Sequence, residues 1–234
     1  MIESYVITLR GDEYSDRATR RLEESAPSNV SLNRFDAITP DQVDRLMKKF
    51  KLKWTYPWQG QEFNFAAGLV LTAYPTAEPK KRIGCFLSHY MLWERCVKRD
   101  EPIIIHEQDS IYYSDEAIPC EDWMKSKYDI IGLNSPLSAT RLASAYDRIT
   151  QESKADPYGI VRAPLIDEHN VPQGIAGNSS YYIEPTGAHR AISLVKEHGC
   201  WPNDAIMNRQ LISTLGQTKH YYTYVQGLRS TTTL

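Results

Sequence analysis

Apolar residues fall into short unbroken runs and into stripes at helical spacing, with polar turns between them. Tyr5 to Leu9 is an apolar run and predicts an opening strand. A polar turn follows over Arg10 to Ser15, and Asp16 to Glu24 has helix-forming composition with a weak apolar face. Val30 to Phe35 predicts a second strand ending at Asp36. The next helix has both a start signal and a stripe. Thr39 suits the N-cap, Pro40 the first helical position and Gln42 the third position of a capping box. Val43, Leu46, Met47 and Phe50 then recur at helical spacing.

Residues 51–82, with Pro57, Gly60, Pro75 and Pro79, read as irregular. An irregular stretch of that length inside a domain usually serves a function. Ile83 to Arg99 returns to helical period, and Ile103 to Ile105 predicts a buried strand running into His106, Glu107, Gln108 and Asp109. Ile130 to Leu133 predicts another strand, and 134–176 reads as loop. Ser180 to Ile183 predicts a strand, and Thr186 caps a helix that ends at His198 and stops at Gly199. Asp204 to Leu215 reads as helix, Tyr221 to Val225 as the last strand, and Ser230 to Leu234 as a polar tail. Strands alternating with helices predict an α/β layer fold with a mostly parallel sheet.

Composition narrows the function. The chain has 234 residues, enough for one large domain or two small ones. A net charge of −2 argues against holding bulk nucleic acid by charge alone. No apolar run approaches the roughly 18 residues that span a bilayer. The opening MIESYVITL lacks the basic start of a secretion signal. Cys85, Cys96, Cys120 and Cys200 show no CxxC spacing, so they read as reduced thiols rather than zinc ligands, and the expected location is the cytoplasm.

The sharpest local chemistry lies in IIIHEQDSIYY, residues 103–113. A buried strand ends and acids appear at once, at the edge where open α/β sheets bind ligands. Glu107 and Asp109 are two apart, so in an extended segment they share a side. Two carboxylates there suit Mg²⁺ or Mn²⁺ on a substrate diphosphate. Alone, the same pattern also suits a solvated turn.

Four blocks add context: YVITLRGDEYSDRATRRLEES (5–25), RIGCFLSHYMLWERCVKRDEPIIIHEQDSIYY (82–113), GNSSYYIEPTGAHRAI (177–192) and WPND (201–204). In order and spacing they resemble glycosyltransferase family 25, the family of lipopolysaccharide glycosyltransferases and of the collagen galactosyltransferase domain. The specific part is Gly-Cys-x-x-Ser-His followed by the acidic strand end. The resemblance implies a single glycosyltransferase A-type domain over 1–234, with a donor-nucleotide half near 1–113 and an acceptor half near 114–230. It implies a divalent metal, Mn²⁺ or Mg²⁺, a uridine diphosphate hexose or pentose as donor, and transfer with inversion.

By position, Glu107 and Asp109 match the outer acids of the family motif as metal ligands, with Asp109 also catalytic. The middle acid is Gln108 here, a departure that removes a charge. Ser88 and His89 match a Ser-His pair expected near the donor, or pack a helix. Thr8, Leu9 and Arg10 lie where the first strand would meet the nucleotide. Asp36 suits either a uridine contact or a turn cap. Asp204 matches a late Pro-x-Asp acid and is the expected base, or a helix cap. His220 is a further metal or diphosphate ligand, or a surface histidine.

One segment bears on the acceptor. Lys51, Lys53, Trp54, Tyr56 and Trp58 interleave charge and aromatic rings, which suits an anionic glycan, a glycolipid or another hydroxylated acceptor. It also suits a helix end followed by packed aromatics. A hydroxylated nucleic-acid base is a less favoured acceptor. Two other classes stay open. One is a degenerate relative that binds sugar nucleotides without turnover, which Gln108 favours. The other is a metal-dependent phosphodiesterase, which the small number of carboxylates disfavours.

Overall fold

The computed structural model describes residues 1–140, 142–171, 174–175 and 177–228. The expected tail, Ser230 to Leu234, lies outside them. The chain runs β1 (Ile2–Thr8), α1 (Glu13–Ser25), β2 (Val30–Asp36), α2 (Pro40–Phe50), β3 (Gln61–Asn64), β4 (Leu69–Thr72) and α3 (Pro79–Arg99). Next come β5 (Ile103–Glu107), β6 (Ser110–Tyr112), α4 (Cys120–Trp123), β7 (Ile130–Gly132), α5 (Ala143–Glu152), β8 (Ile160–Arg162) and β9 (Asn170–Val171). The last elements are β10 (Ser180–Ile183), α6 (Pro185–His198), α7 (Asn203–Ile206), β11 (Leu215–Thr218) and β12 (Thr223–Val225).

Seven strands form the central sheet in the order β2-β1-β5-β10-β7-β11-β8. The pairs β1–β2, β1–β5 and β7–β11 are parallel, whereas β10 is antiparallel to β5 and β7, and β8 to β11. Five of the seven strands thus point one way, with β10 and β8 reversed. The sheet is mixed and mostly parallel, as the alternating pattern predicts.

Side-chain alternation builds two cores, one on each face. Tyr5, Ile103, Ile105, Ile130, Tyr181 and Ile183 pack with side chains of α2, α3 and α6. Val6, Ile104, Ile131 and Tyr182 pack on the other face with Leu22 of α1 and Trp123 of α4. Cover on both faces is why three consecutive isoleucines suit β5. Among the described residues no helix is long and apolar enough to cross a membrane.

Several boundaries differ from the expected ones. Asp12 caps α1 by accepting from the Ser15 N–H at 2.7 Å, so the helix starts three residues before Asp16. α3 starts at Pro79, because Pro79 to Arg82 fit a first turn without adding to an apolar stripe. The stretch 51–82 holds the β3–β4 hairpin, and 134–176 holds α5, β8 and β9. Glu184, not Thr186, occupies the cap of α6. Asp204 to Leu215 is not one helix. Only Asn203–Ile206 is helical, and Leu215–Thr218 enters the sheet as β11. A short strand containing Gly216 has little strand propensity of its own, and burial decides its state.

The connection from β2 to α2 presses on α3. A Cβ at Gly84 would collide with the Ile38 carbonyl oxygen. One turn later the Ser88 hydroxyl accepts the Ile38 N–H at 2.9 Å and donates to the Gly84 carbonyl at 2.9 Å. Gly84→Ala is expected to lower stability by about 1–3 kcal/mol, read as a fall in the urea midpoint. An unchanged midpoint would contradict this packing.

Candidate active site

A cavity of about 1000 Å³ opens at the edge where the five co-directional strands end. Leu9 follows β1, Ala37 and Ile38 follow β2, Glu107 to Asp109 close β5, and Ser138 to Thr140 come after β7. Asn178 and Ser179 precede β10, whose reversed direction brings its start to the same edge. Tyr74, Arg82, Cys85 and His89 line another wall, and Pro202 to Asp204 a further one.

Three carboxylates meet this space. Glu107 is the last residue of β5 and sits opposite Ile7 of β1. Asp109 lies just beyond, with Oδ1 buried and unpartnered. Burial, and then the Glu107 charge, push the Asp109 carboxyl up to about 7. Burial and the Glu107 charge also push Asp204 up to about 6, against the opposing charge of Arg82. Gln108 interrupts the acids but has its own partner, since its Oε1 accepts the Ser15 hydroxyl in the first turn of α1. The middle position thus ties β5 to α1.

His89 is fully buried, with Nε2 at 3.2 Å from Glu107 Oε1 and Nδ1 at 2.8 Å from the Tyr181 hydroxyl. The Cys85 thiol reaches the same Glu107 oxygen at 3.8 Å. Ser88 borders the cavity, but its hydroxyl is engaged by Ile38 and Gly84.

Two donor sets could hold a cation. Glu107 and Asp109 offer oxygen atoms, one of them an unpartnered buried oxygen, which fits a hard ion such as Mg²⁺ or Mn²⁺. The ligand atoms of Cys85, His89 and Glu107 lie within 4.8 Å of one another. This second set fits a hard ion less well, because burial raises the thiol well above its ordinary value and keeps it protonated.

Other expected site residues lie elsewhere. Thr8 turns toward α1, with its hydroxyl on Ser15 at 2.9 Å and Thr19 at 3.1 Å. Arg10 and Asp36 are exposed and pair with each other at 3.0 Å. His220 pairs with Glu116 at 3.1 Å and lines a separate cavity of about 360 Å³, away from the carboxylates. The strand that follows it, β12, pairs with β6 rather than joining the central sheet. The aromatic segment is largely packing. Trp54 stacks on Trp58 at 4.8 Å, and buried Tyr56 donates to the Thr72 carbonyl at 2.8 Å. Lys51 is the left-handed cap of α2, and the Lys53 carbonyl accepts the Cys200 N–H at 2.8 Å. None of these five residues lines the main cavity.

A profile of glycosyltransferase family 25 (LPS biosynthesis protein) matches residues 1–207, so it spans every cavity wall named above up to Asp204. The chain belongs to glycosyltransferase family 25. A Haemophilus influenzae protein provisionally described as a glycosyltransferase is 29% identical over 115 residues, which is 49% of this chain. The match spans 34% of that relative's length. The family-25 chain has the mixed, mostly parallel sheet with flanking helices of a glycosyltransferase A-type protein.

Sequence reasoning missed Tyr74, Arg82, Cys85, Tyr146 and Asn178, which line this family-25 cavity. Arg82 and Cys85 lie inside the matched RIGC block and were legible by position. Tyr74, in an irregular stretch, gave no signal.

Burial favours the protonated forms of Asp109 and Asp204. That contribution to stability is complete below the ordinary carboxyl value of 3.8 and is lost as pH rises through about 6 and 7. Metal-free Asp109→Asn should therefore exceed the wild type in unfolding free energy near pH 8, by on the order of 2 kcal/mol. The gain should vanish near pH 4. Denaturant titrations at both pH values check this, and equal stability at pH 8 would count against the buried charge.

Proposed function

We propose that this glycosyltransferase takes a uridine diphosphate hexose or pentose as donor, transfers the sugar with inversion, and uses a hydroxyl of a glycan or glycolipid as acceptor. The observation that carries the reading is the meeting of Glu107, Asp109 and Asp204 in one cavity at the sheet's ligand-binding edge. Its volume, about 1000 Å³, is at the upper end of the range for ligand pockets and suits a donor with part of an acceptor. The family's description as LPS biosynthesis protein supports a glycan acceptor.

Glu107 and Asp109 are the residues that would hold Mn²⁺ or Mg²⁺ against the donor diphosphate. A divalent cation there supplies the charge that stabilises the departing diphosphate. Arg82 adds positive charge on the same side, which its effect on Asp204 reflects. Asp204 accepts the proton of the acceptor hydroxyl as that oxygen attacks the anomeric carbon. A carboxylate with its proton affinity raised toward neutral pH suits this task. Attack and departure occur on opposite faces, so no covalent enzyme intermediate forms.

The bond from Ser15 to Gln108 favours an active transferase over a degenerate one. The uncharged middle residue has a packing partner of its own, and both outer acids keep their place at the cavity.

Thermal-shift measurements with uridine and guanosine diphosphate sugars, each with and without Mn²⁺, test the reading. One uridine diphosphate sugar with Mn²⁺ should stabilise the fold by about 2.7 kcal/mol at a concentration 100 times its dissociation constant. Asp109→Asn should remove the metal-dependent part of the shift. No shift with any sugar nucleotide would overturn the proposal.

A further inference from the structure

Behind Glu107 a line of hydrogen bonds runs from the cavity into the core. Trp93 Nε1 lies 2.9 Å from the Tyr181 hydroxyl oxygen. That oxygen lies 2.8 Å from His89 Nδ1, and His89 Nε2 lies 3.2 Å from Glu107 Oε1. Trp93, Tyr181 and His89 are each 0% exposed. Two of them come from α3 and one from β10, the strand that pairs with β5.

Donor and acceptor roles along the line follow from chemistry. The indole N–H can only donate, so the Tyr181 oxygen accepts from Trp93. The phenol has one hydrogen to give, and His89 Nδ1 at 2.8 Å is placed to accept it. The ring proton then belongs on Nε2, aimed at the Glu107 carboxylate. The opposite tautomer would make the phenol oxygen accept from both Trp93 and His89 and turn its hydrogen away from the ring, toward the Asn203 amide. It would also set the Nε2 lone pair against a carboxylate oxygen. Burial holds the Tyr181 phenol well above its ordinary value, so its hydrogen stays in place.

We propose that Trp93 and Tyr181 are positioning residues that hold His89 as the Nε2–H tautomer, so that His89 pins Glu107 Oε1 and leaves the other carboxylate oxygen for the donor site. The inference rests on the reading of Glu107 as a cation ligand given above. Partners one step removed from a metal ligand typically change metal affinity about 10–100-fold when lost.

Long-range proton–nitrogen NMR of the metal-free protein reads the tautomer, and calorimetric titration with MnCl₂ reads the cation affinity. In the wild type, His89 Nδ1 should resonate as an unprotonated nitrogen and Nε2 as a protonated one. Tyr181→Phe should mix the tautomers and weaken Mn²⁺ binding about 10-fold. Trp93→Phe should shift both readouts the same way by less, and it carries the test if Tyr181→Phe does not fold. His89→Gln, which keeps an N–H near the Nε2 position, should retain more Mn²⁺ affinity than His89→Ala. A wild-type Nδ1–H tautomer, or a tautomer unchanged in both the Tyr181 and Trp93 variants, would overturn the proposal. Absence of Mn²⁺ binding in the wild type would instead overturn the cation reading, and the tautomer would still decide the hydrogen-bond line.

Discussion

Negative charge packed into one partly dry cavity is the constraint around which this molecule is arranged. Glu107 acts on both neighbours, and its charge raises the proton affinity of Asp109 and of Asp204. Such a group of acids relaxes by taking up a proton or by binding a cation. Protons and cations therefore compete for the same oxygens, and cation affinity rises with pH over the range where these acids titrate. The same crowding raises the proton affinity of Asp204, as of Asp109, toward neutrality, the property a base needs.

Helix α3 serves this arrangement through two neighbouring stripes. Gly84 and Ser88 lie one turn apart and clamp the Ile38 backbone. Cys85 and His89, each one residue further on, lie one turn apart and address Glu107. Residues four apart stack on a helix, so a Gly-Cys-x-x-Ser-His string puts packing on one stripe and acid contacts on the next. The physical reason for that spacing is that one helix fixes a cavity wall and the acid facing it.

Features carried by local chemistry were legible in the sequence. The capped stripe of α2, the isoleucines of β5 and the outer acids at its end all came from patterns within about ten residues. The site's assembly was legible only in part. The Asp204 position came from a resemblance, and nothing local links it to Glu107. β11 was hidden because a four-residue strand with a glycine has no period of its own, and its burial against Ile160 and Tyr128 makes it a strand. The Trp54 to Trp58 segment looked like a binding surface because ring composition does not distinguish a stacked pair in the protein from a stacking platform for a ligand. His220 looked like a ligand for a similar reason, since its partner, Glu116, is set by the fold of distant segments.

The position of β10 governs how the protein comes into being. It sits between β5 and β7, yet it is synthesised about 70 residues after β5 ends. At typical elongation rates that interval lasts roughly 4–15 s. Until then one edge of the triple-isoleucine strand has no partner, and such an edge invites pairing with other chains. The same strand brings Tyr181 to His89, so the burial of that edge and the completion of the Glu107 wall are one event on the ribosome's clock.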